Sequence, residues 1–315
     1  MNDPSPRSGR CAMVGRTNVG KSTLLNTLLK QKLSIATPKP QTTRSCILGV
    51  YLSERPQTQI AFIDTPGFHR PRNALGRSLL EQAKGGLQGA DVILMITEVG
   101  KTLSESEIDN YLKGEDGEIL QLVQKQSRPV ILAINKVDRL REKPSLLPLL
   151  AKCNSRFAFA AIVPISALKG DNCNELIREI RLHLKPGLEF DSDALTDKPE
   201  RFFAAELVRE AVIKQTYDEL PFATAVLIDL FREEPKIVRI EATIVVEKEN
   251  HKGIVIGKKG LLLKSIGSSA RREIEALLGR KVLLKLWVKV IKGWTDNPMD
   301  VRQLSRRIES GDGGF

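Results

Sequence analysis

The sequence predicts a doubly wound α/β domain followed by a smaller α+β domain. Apolar runs alternate with helical patterns as far as residue 185, the pattern changes there, and a chain of 315 residues is long for a single core. We therefore place a first domain at 9–185, a linker at 186–200, a second domain at 201–293 and a C-terminal tail at 294–315.

Five short apolar runs rich in β-branched residues predict the strands of the first domain. They are CAMVG (11–15), IAFID (60–64), DVILMIT (91–97), PVILAIN (129–135) and AIVPIS (161–166). Because charge almost never interrupts them, they suit parallel strands that helices cover on both faces. Segments such as KSTLLNTLLK and NELIREIRLHL have the helical spacing that such a fold needs. Its ligand is expected at the carboxyl ends of the strands.

The second domain has a different order of elements. The preceding stretch KPGLEFDSDALTDKPE shows no clear period and is interpreted as the linker. RFFAAELVREAVIKQ predicts an amphipathic helix, and FATAVLIDLF and KIVRIEATIVVEK predict strands. LLLKSIGSSARREIEALLG is helical around a Ser/Gly interruption, and KVLLKLWVKVI closes the domain as a strand. The order is roughly α-β-β-α-α-β.

The charge of the chain is concentrated in one segment. The chain carries a net charge of +11, and residues 252–292 hold eleven Lys or Arg residues against two Glu, a net charge of +9. Such a concentration favours contact with a nucleic-acid backbone. A solvated basic face is the alternative.

The cysteines and the N-terminus indicate a cytosolic protein. Cys11, Cys46, Cys153 and Cys173 show neither close pairs nor a zinc spacing, which is typical of free thiols in a reducing compartment. The first residues, MNDPSPRSGR, contain no apolar signal region, and no apolar stretch approaches the length of a membrane span. We expect a cytoplasmic monomer, with peripheral contact at the inner face of the membrane left open.

The stretch GRTNVGKS at 15–22 fits the phosphate-binding loop Gly-x-x-x-x-Gly-Lys-Ser, with a strand before it and a helix after it. Gly15 and Gly20 allow the backbone N–H groups to turn toward phosphates. Lys21 supplies a cation near the β- and γ-phosphates, and Ser22 can ligate Mg²⁺.

Three further motifs follow buried strands in the order of a guanine-nucleotide site. DTPG places Asp64 at the magnesium and Gly67 near the γ-phosphate. NKVD places Asp138 where its carboxylate can accept two ring N–H groups of guanine, and Asn135 where it can brace neighbouring loops. SAL (166–168) offers a backbone N–H to the guanine carbonyl. The four motifs together resemble the GTPase superfamily, which implies GTP rather than ATP. The predicted GTP-binding residues are Gly15, Arg16, Thr17, Asn18, Val19, Gly20, Lys21, Ser22, Asp64, Thr65, Pro66, Gly67, Phe68, Asn135, Lys136, Val137, Asp138, Ser166, Ala167 and Leu168.

Catalysis is assigned to Asn18, Lys21 and Thr43. Phe68 stands where Ras-like proteins have the glutamine that orients the attacking water, so hydrolysis must proceed without that side chain. Asn18 resembles the residue with which some GTPases bind K⁺, and a bond within its own loop is the equal alternative. PQTTR (40–44) supplies a threonine to Mg²⁺, with Thr43 preferred over Thr42. The predicted metal ligands are therefore Ser22, Thr43 and Asp64.

Residues 67–89 contain five glycines and are interpreted as a switch that reorders when the γ-phosphate leaves. An ordinary flexible loop is the alternative.

A second glycine loop, Gly257-Lys258-Lys259-Gly260, lies in the basic segment. It fits the Gly-x-x-Gly loop with which KH domains clamp single-stranded nucleic acid, because glycines permit close approach and lysines meet phosphates. Lys264 and Arg271 are further predicted RNA contacts. For Trp287 we favour a core position under the sheet over stacking on a base, and for His251 a surface position.

The order of motifs resembles the Era family of GTPases over about residues 9 to 296. The resemblance rests on GRTNVGKSTLLN, PQTTR, DTPGFH, NKVD and PISAL, then on TDKPERFFAAELVREAV, ELPF, VIGKKG and LWVKVIKGW. It implies a P-loop GTPase domain, a type II KH domain, GTP/GDP and Mg²⁺ as ligands, and slow regulatory hydrolysis. It also implies binding near the 3′ end of 16S ribosomal RNA in maturation of the 30S subunit.

The chain departs from the family at two places. Thr17 replaces a usual proline, a surface change expected to be mild. The tail after Trp294 is polar, and we expect it to be disordered. Two rival functions also remain: an RNA-binding module whose nucleotide only stabilises the fold, and a GTPase recruited to membranes by its basic face.

Overall fold

The computed structural model describes residues 5–37, 39, 42–191, 194–217 and 220–310, with the side chain of residue 310 left aside. The chain divides into two compact units. Unit 1 takes residues up to Ala36, Cys46–Arg70 and Leu79–Asp197, whereas unit 2 takes Thr37–Ser45, Pro71–Ser78 and the chain from Lys198 onward. Two short segments of the N-terminal half thus belong to the C-terminal unit.

Unit 1 is built on a seven-stranded sheet in the order β2-β3-β1-β4-β5-β6, with β7 paired to β1. The strands are β1 (Arg7–Val14), β2 (Ile47–Glu54), β3 (Gln57–Asp64), β4 (Val92–Glu98), β5 (Val130–Asn135), β6 (Ala161–Pro164) and β7 (Lys185–Pro186). Pairs β1–β3, β1–β4, β4–β5 and β5–β6 are parallel, whereas β2–β3 and β1–β7 are antiparallel. The doubly wound prediction is confirmed, and all five predicted strands are present.

Helices cover both faces of this sheet. They are α1 (Lys21–Leu29), α2 (Ala74–Gly85), α3 (Glu105–Asn110), α4 (Gly114–Gln124), α5 (Leu146–Arg156) and α6 (Cys173–Arg181). Leu24 of α1 and Leu176 of α6 pack into the core on one face. Val123 of α4 and Leu149 of α5 pack into the core on the other. The division between the units falls within α2, after Ser78.

Strand β2 is absent from the predicted elements. Tyr51 and Leu52 of β2 lie in its outer half, and the exposed end of this edge strand weakens its apolar pattern. The predicted linker is also partly ordered in unit 1: Val50 N donates to Leu195 O at 2.9 Å, and Gln59 Nε2 donates to Phe190 O at 2.7 Å. The edge of the sheet thereby gains backbone partners that no local pattern indicates.

Unit 2 contains the predicted α-β-β-α-α-β order and one further helix. The elements are α7 (Glu200–Gln215), β8 (Ala225–Glu233), β9 (Val238–Val246), α8 (Glu249–Ile256), α9 (Leu261–Leu278), β10 (Val282–Val290) and α10 (Pro298–Ser310). The sheet order is β10-β9-β8, with β9 parallel to β10 and antiparallel to β8. Side chains of α7, α8 and α9 form one core with the sheet.

Helix α7 is buried around its circumference rather than on one face, so the amphipathic prediction is wrong. Its charged side chains Glu206, Arg209 and Glu210 are all buried. Burial is tolerated because the charges pair within the helix: Arg209 Nη2 lies 2.6 Å from Glu206 Oε2, and Lys214 Nζ lies 3.1 Å from Glu210 Oε1.

The expected disorder of the tail is also wrong, because α10 occupies 298–310. Val301 and Leu304 are buried on one side of this helix, which packs on β8 and α7. Trp294 just before it is buried, and its Nε1 donates to Ala223 O at 3.2 Å. The apolar residues of the tail are few but helically spaced. Residues 311–315 of the predicted tail lie outside the described part.

The four cysteines are free thiols, and three of them are buried. Burial raises the pKa of Cys153 and Cys173 to about 11. In the described residues, no helix has the length and apolarity needed to cross a membrane.

Candidate functional sites

The phosphate-binding loop joins β1 to the N-terminus of α1. Gly20 has φ 102°, and a Cβ there would lie 2.3 Å from Asn135 Nδ2, so only glycine fits. Because α1 begins at Lys21, its first N–H groups face the loop, and a helix N-terminus of this kind favours an anion. Asn18, with φ 63°, is exposed at the loop's tip.

Lys21 lies inside this loop. It is 6% exposed, and its Nζ donates to Gly15 O at 3.0 Å and to Arg16 O at 2.8 Å. Burial lowers the pKa of Lys21 to about 8, against the opposing charges of Asp64 and Asp116. A phosphate among these groups would stabilise the ammonium ion and take over its hydrogen bonds.

The DTPG motif lies beside the loop. Phe68 N donates to Gly15 O at 3.1 Å, and Arg16 and Phe68 form a parallel bridge. Thr17 is half-buried beside Gly67, and a mild effect of this substitution stays a prediction. The Phe68 side chain is buried in the core, so it is not placed to orient water.

Asp64 and Ser22 have the chemistry of a magnesium site. Asp64 ends β3, is fully buried, and accepts from Ser22 Oγ at 2.8 Å through Oδ2. Its other oxygen, Oδ1, is buried and accepts no hydrogen bond from the described residues. Such a carboxylate oxygen beside a hydroxyl fits a hard cation such as Mg²⁺. Burial raises the pKa of Asp64, whereas Lys21 and the hydroxyl bonds oppose that shift.

Ser34 is a second hydroxyl at this carboxylate, and no motif in the sequence marks it. Its Oγ donates to Asp64 Oδ2 at 2.8 Å, and the residue is fully buried. It lies in the connection between α1 and β2, before the PQTTR motif and outside every motif of the sequence.

The NKVD and SAL motifs meet at the ends of β5 and β6. Asn135 accepts from Lys136 N at 2.7 Å and from Ala167 N at 2.9 Å, and its Nδ2 donates to Val19 O at 2.7 Å. These are the bonds that a bracing role requires. Asp138, in a 3₁₀ turn formed by Val137–Arg139, accepts from Ser166 Oγ at 2.7 Å.

Two of the remaining predicted nucleotide residues lie at the rim of this site. Lys136 Nζ donates to Asn18 O at 2.7 Å and pairs with Glu98. Leu168 is 77% exposed, whereas Ala167 beside it is buried. The motifs of residues 15–22, 64–68, 135–138 and 166–168 are therefore brought together at the carboxyl edge of the sheet, as the fold class predicts.

Residues Thr37–Ser45, called the threonine segment below, belong to unit 2. Arg44 donates to Thr224 O at 2.7 Å, to Phe222 O at 2.6 Å and to Pro221 O at 3.2 Å. Its guanidinium lies 6.0 Å from the ring of Trp294. Burial and Arg209 lower the pKa of Arg44, but a guanidinium remains charged at neutral pH.

Two more cations hold the same segment. Arg209 Nη2 donates to Thr42 O, and Lys39 Nζ donates to Ile213 O at 2.5 Å and to Thr216 O at the end of α7. Thr42 and Thr43 are both buried. Pro40 and Gln41 of the PQTTR motif lie outside the described residues. Sequence reasoning did not assign Lys39, Arg44 and Arg209 to any function.

The glycine-rich stretch after DTPG is more regular than the predicted switch, because α2 occupies about half of it. Leu75 N, near the start of α2, donates to Thr295 O at 2.9 Å within unit 2. The role of this stretch as a switch stays a prediction.

The GKKG loop links α8 to α9. Gly257 has φ 70°, and a Cβ there would lie 2.7 Å from Leu262 Cβ and 3.0 Å from Leu262 N, so glycine is required on two grounds. Lys258 and Lys259 are exposed. Lys264 and Arg271 are exposed on α9, the helix that starts at this loop.

Two further expectations for unit 2 are wrong. Trp287 is 46% exposed on β10, because the odd-numbered residues of this edge strand face away from the core helices. His251 is buried rather than on the surface, since α8 packs against α9 and β10.

Comparisons with known proteins agree with this arrangement. Residues 10–136 match the family model described as 50S ribosome-binding GTPase, and residues 219–295 match the KH domain. GTPase Era of Geobacter metallireducens is 45% identical over 307 residues, covering 96% of this chain and 99% of that protein. GTPase Era of Trichlorobacter lovleyi is 40% identical over 306 residues, with the same coverage.

Solved structures show the same likeness. The crystal structure of Era in complex with MgGDPNP and nucleotides 1506–1542 of 16S ribosomal RNA has a TM-score of 0.88 at 42% identity, covering 95% of this chain and 98% of that one. An Aquifex aeolicus Era variant bound to GDP and AlF₄⁻ gives the same values.

Fold and motifs together define a P-loop GTPase that carries a C-terminal KH domain. GTP/GDP and Mg²⁺ are its ligands. The chain belongs to the GTPase Era family.

Proposed function

We propose that this GTPase binds the 3′ end region of 16S ribosomal RNA and acts in maturation of the small (30S) ribosomal subunit. In this proposal GTP state controls the grip on RNA, and hydrolysis times its release. A relative that aligns over 95% of this chain binds both MgGDPNP and a segment of 16S ribosomal RNA. The exposed GKKG loop and the basic residues of α9 supply the surface that such an RNA needs.

One observation supports the proposal that GTP controls RNA binding. The segment with Thr42, Thr43 and Arg44 is bound to α7 through the buried Arg209 and to the carbonyls before β8 through the half-buried Arg44, within the unit that contains GKKG. If Thr43 ligates Mg²⁺ when GTP is bound, these hydrogen bonds and the metal compete for one short segment. Each site can then alter the other.

The nucleotide is assigned to the residues at the carboxyl edge of the unit 1 sheet. N–H groups of the loop Gly15–Ser22 and the Lys21 ammonium bind the phosphates, and Ser22, Thr43 and Asp64 hold Mg²⁺, which neutralises charge on the phosphates. The Asp138 carboxylate accepts two N–H groups of guanine, and Asn135 fixes the loops around it.

Hydrolysis transfers the γ-phosphoryl group to water, with GDP as the leaving group. Phe68 is buried in the core, so stabilisation of charge falls to Lys21, the loop N–H groups and Asn18. For Asn18, binding K⁺ and bonding within the loop remain the two alternatives. Turnover is accordingly expected to be slow.

The proposal is tested by measuring GTP turnover and RNA affinity for the parent, Lys21→Ala and Lys125→Ala. Lys21→Ala is expected to abolish turnover because its ammonium is lost from the phosphates, whereas Lys125, exposed after α4, is the matched control. RNA bound to the GTP form is crosslinked in total cellular RNA and mapped.

Three outcomes would reject the proposal. Absence of GTP turnover in the parent would favour an RNA-binding module whose nucleotide only stabilises the fold, and turnover that Lys21→Ala leaves unchanged would remove the loop at 15–22 from hydrolysis. Liposomes that outcompete single-stranded RNA at physiological salt would favour recruitment to membranes, and crosslinks spread over unrelated RNAs would remove the ribosomal assignment.

A further inference from the structure

Ser34 is the least expected polar residue near the magnesium carboxylate. It is fully buried, and its Oγ lies 2.8 Å from Asp64 Oδ2. Ser22, a residue of the phosphate-binding loop, donates to the same oxygen at the same distance. The carboxylate therefore receives two hydroxyl donors on one oxygen and, from the described residues, none on the other.

Asn26 fixes the position of Ser34. Ser34 N donates to Asn26 Oδ1 at 2.9 Å, and Asn26 Nδ2 donates to Ser34 O at 2.7 Å. Leu33 N donates to the same Oδ1 at 3.0 Å. Because Asn26 and Ser22 both lie in α1, the two hydroxyls are tied to one rigid helix. A backbone clamped on both sides leaves the Ser34 hydroxyl little freedom to turn away from Asp64.

The arrangement orients the Asp64 carboxylate. A serine hydroxyl has one proton, and Ser34 gives it to Oδ2. Ser22 can keep its proton on Oδ2 and still offer lone pairs to a metal. With both donors on Oδ2, Oδ1 is left for the coordination sphere of Mg²⁺. Hydrogen-bonding groups of this kind hold metal-site carboxylates in position, and their loss typically weakens metal binding by roughly 10–100-fold.

We propose that Ser34 is a positioning residue of the magnesium site, acting through Asp64 rather than on the nucleotide. It holds the carboxylate in the orientation that Mg²⁺ needs when GTP binds. Three residues after Ser34, the chain enters the threonine segment at Thr37. Mg²⁺ affinity therefore depends on a residue that lies outside all four nucleotide motifs.

The test measures affinity for a fluorescent GDPNP analogue in EDTA and across a range of free Mg²⁺. Binding linkage makes nucleotide affinity report the Mg²⁺ affinity of the site. The midpoint is the free Mg²⁺ concentration that gives half of the Mg²⁺-dependent change in nucleotide affinity. For Ser34→Ala we expect this midpoint to rise about tenfold, while nucleotide affinity in EDTA stays at the parental value. Ser34→Cys keeps the shape with a weaker donor and is expected to shift the midpoint in the same direction by less.

Thr58→Val is the matched control. Like Ser34, Thr58 is a buried residue with a hydroxyl group, but it lies near the start of β3, whereas Asp64 ends that strand. Its Oγ1 donates to Pro56 O at 3.0 Å and accepts from Arg181 Nε at 3.0 Å. The control is expected to lose stability in urea without any change in the Mg²⁺ midpoint. A purely structural Ser34 would behave in the same way.

Three results would overturn the proposal. One is a Ser34→Ala midpoint within about twofold of the parent, well below the loss expected for such a group. Another is an equal loss of affinity in EDTA and in Mg²⁺, which would indicate a general loss of structure. The third is that the parent protein binds the GDPNP analogue equally well with and without Mg²⁺.

Discussion

Single residues in the nucleotide site hold conformations and charges that cost stability in the free protein. Lys21 is the clearest case, because it is nearly fully buried and bonds only to carbonyls of its own loop among the contacts described. Its charge is useful when phosphates are bound and unfavourable otherwise. The ligand, rather than the packing of the free protein, therefore compensates for burial of this charge.

Lys21 leads to a prediction about pH. Burial lowers the pKa of Lys21 from 10.5 to about 8, so between those values the unfolded chain binds more protons than the folded one. The contribution of Lys21 to the free energy of unfolding therefore rises with pH in that window, and it is constant and unfavourable below it. Relative to Lys21→Met, the nucleotide-free parent should gain on the order of 2–3 kcal/mol from neutral pH to about pH 10.

Urea unfolding of both proteins without nucleotide measures this difference. The variant serves as the reference for all other groups that titrate in the same range. A difference that is constant with pH, or that falls, would contradict a lowered pKa of Lys21.

At the scale of elements, α10 and the threonine segment extend the core of unit 2 beyond the KH order. Val301 and Leu304 of α10 are buried, and Trp294 precedes the helix as one of the largest fully buried side chains. A polar composition hid this helix from prediction, because only a few well-spaced apolar residues make its contacts. The C-terminal helix is thus part of the packed unit rather than a free tail.

Leu304→Ala tests the contribution of this helix. Leu304 is 4% exposed, so its truncation should lower the free energy of unfolding by about 2–3 kcal/mol. It should also speed tryptic cleavage at Arg302, Arg306 and Arg307. Met299→Ala on the same helix is the control, since Met299 is 80% exposed, and urea unfolding with limited trypsin digestion measures both. Equal stabilities for the two variants would show that α10 adds nothing to the core.

At the scale of the whole molecule, the nucleotide motifs and the GKKG loop belong to different compact units, whereas the threonine segment shares a unit with GKKG. We expect GTP hydrolysis to proceed without RNA, and we expect nucleotide control of RNA binding to act through the threonine segment. The guanidinium groups of Arg209, which is buried, and Arg44, which is half-buried, make its hydrogen bonds directional and costly to break singly.

Two variants should separate the grip on RNA from its control. Gly257→Asp is expected to reduce RNA affinity at least tenfold in every nucleotide state, because a side chain clashes with Leu262 and the new charge repels phosphate. GTP hydrolysis without RNA should stay near the parental rate. Arg44→Ala should instead reduce the difference in RNA affinity between the GDPNP and GDP forms, since three carbonyls of unit 2 lose their donor.

Fluorescence anisotropy with a single-stranded RNA and a phosphate-release assay measure both effects. Arg232→Ala, an exposed arginine at the end of β8, is the control for loss of positive charge. An equal loss of hydrolysis and RNA binding in Gly257→Asp would show that the units do not act independently. An unchanged nucleotide dependence in Arg44→Ala would remove this residue from the coupling.

Local patterns in the sequence were enough to predict the fold class, the five strands β1, β3, β4, β5 and β6, and the order of the KH elements. These depend on local periodicity and on motifs whose residue types are dictated by phosphate, guanine and backbone geometry. Asp64 and Asn135 stand at the ends of two buried apolar runs, and this position was sufficient to predict that both lie at one edge of the sheet.

The tertiary structure alone decided which residues support the site from a distance. Ser34 reaches Asp64, and Arg44 reaches three carbonyls, across separations in sequence that no local pattern records. The exposure of Trp287 and the burial of α7 likewise depend on which neighbours cover each face. Packing partners distant in the chain set burial and hydrogen bonding, and these in turn set the charge and orientation of the functional groups.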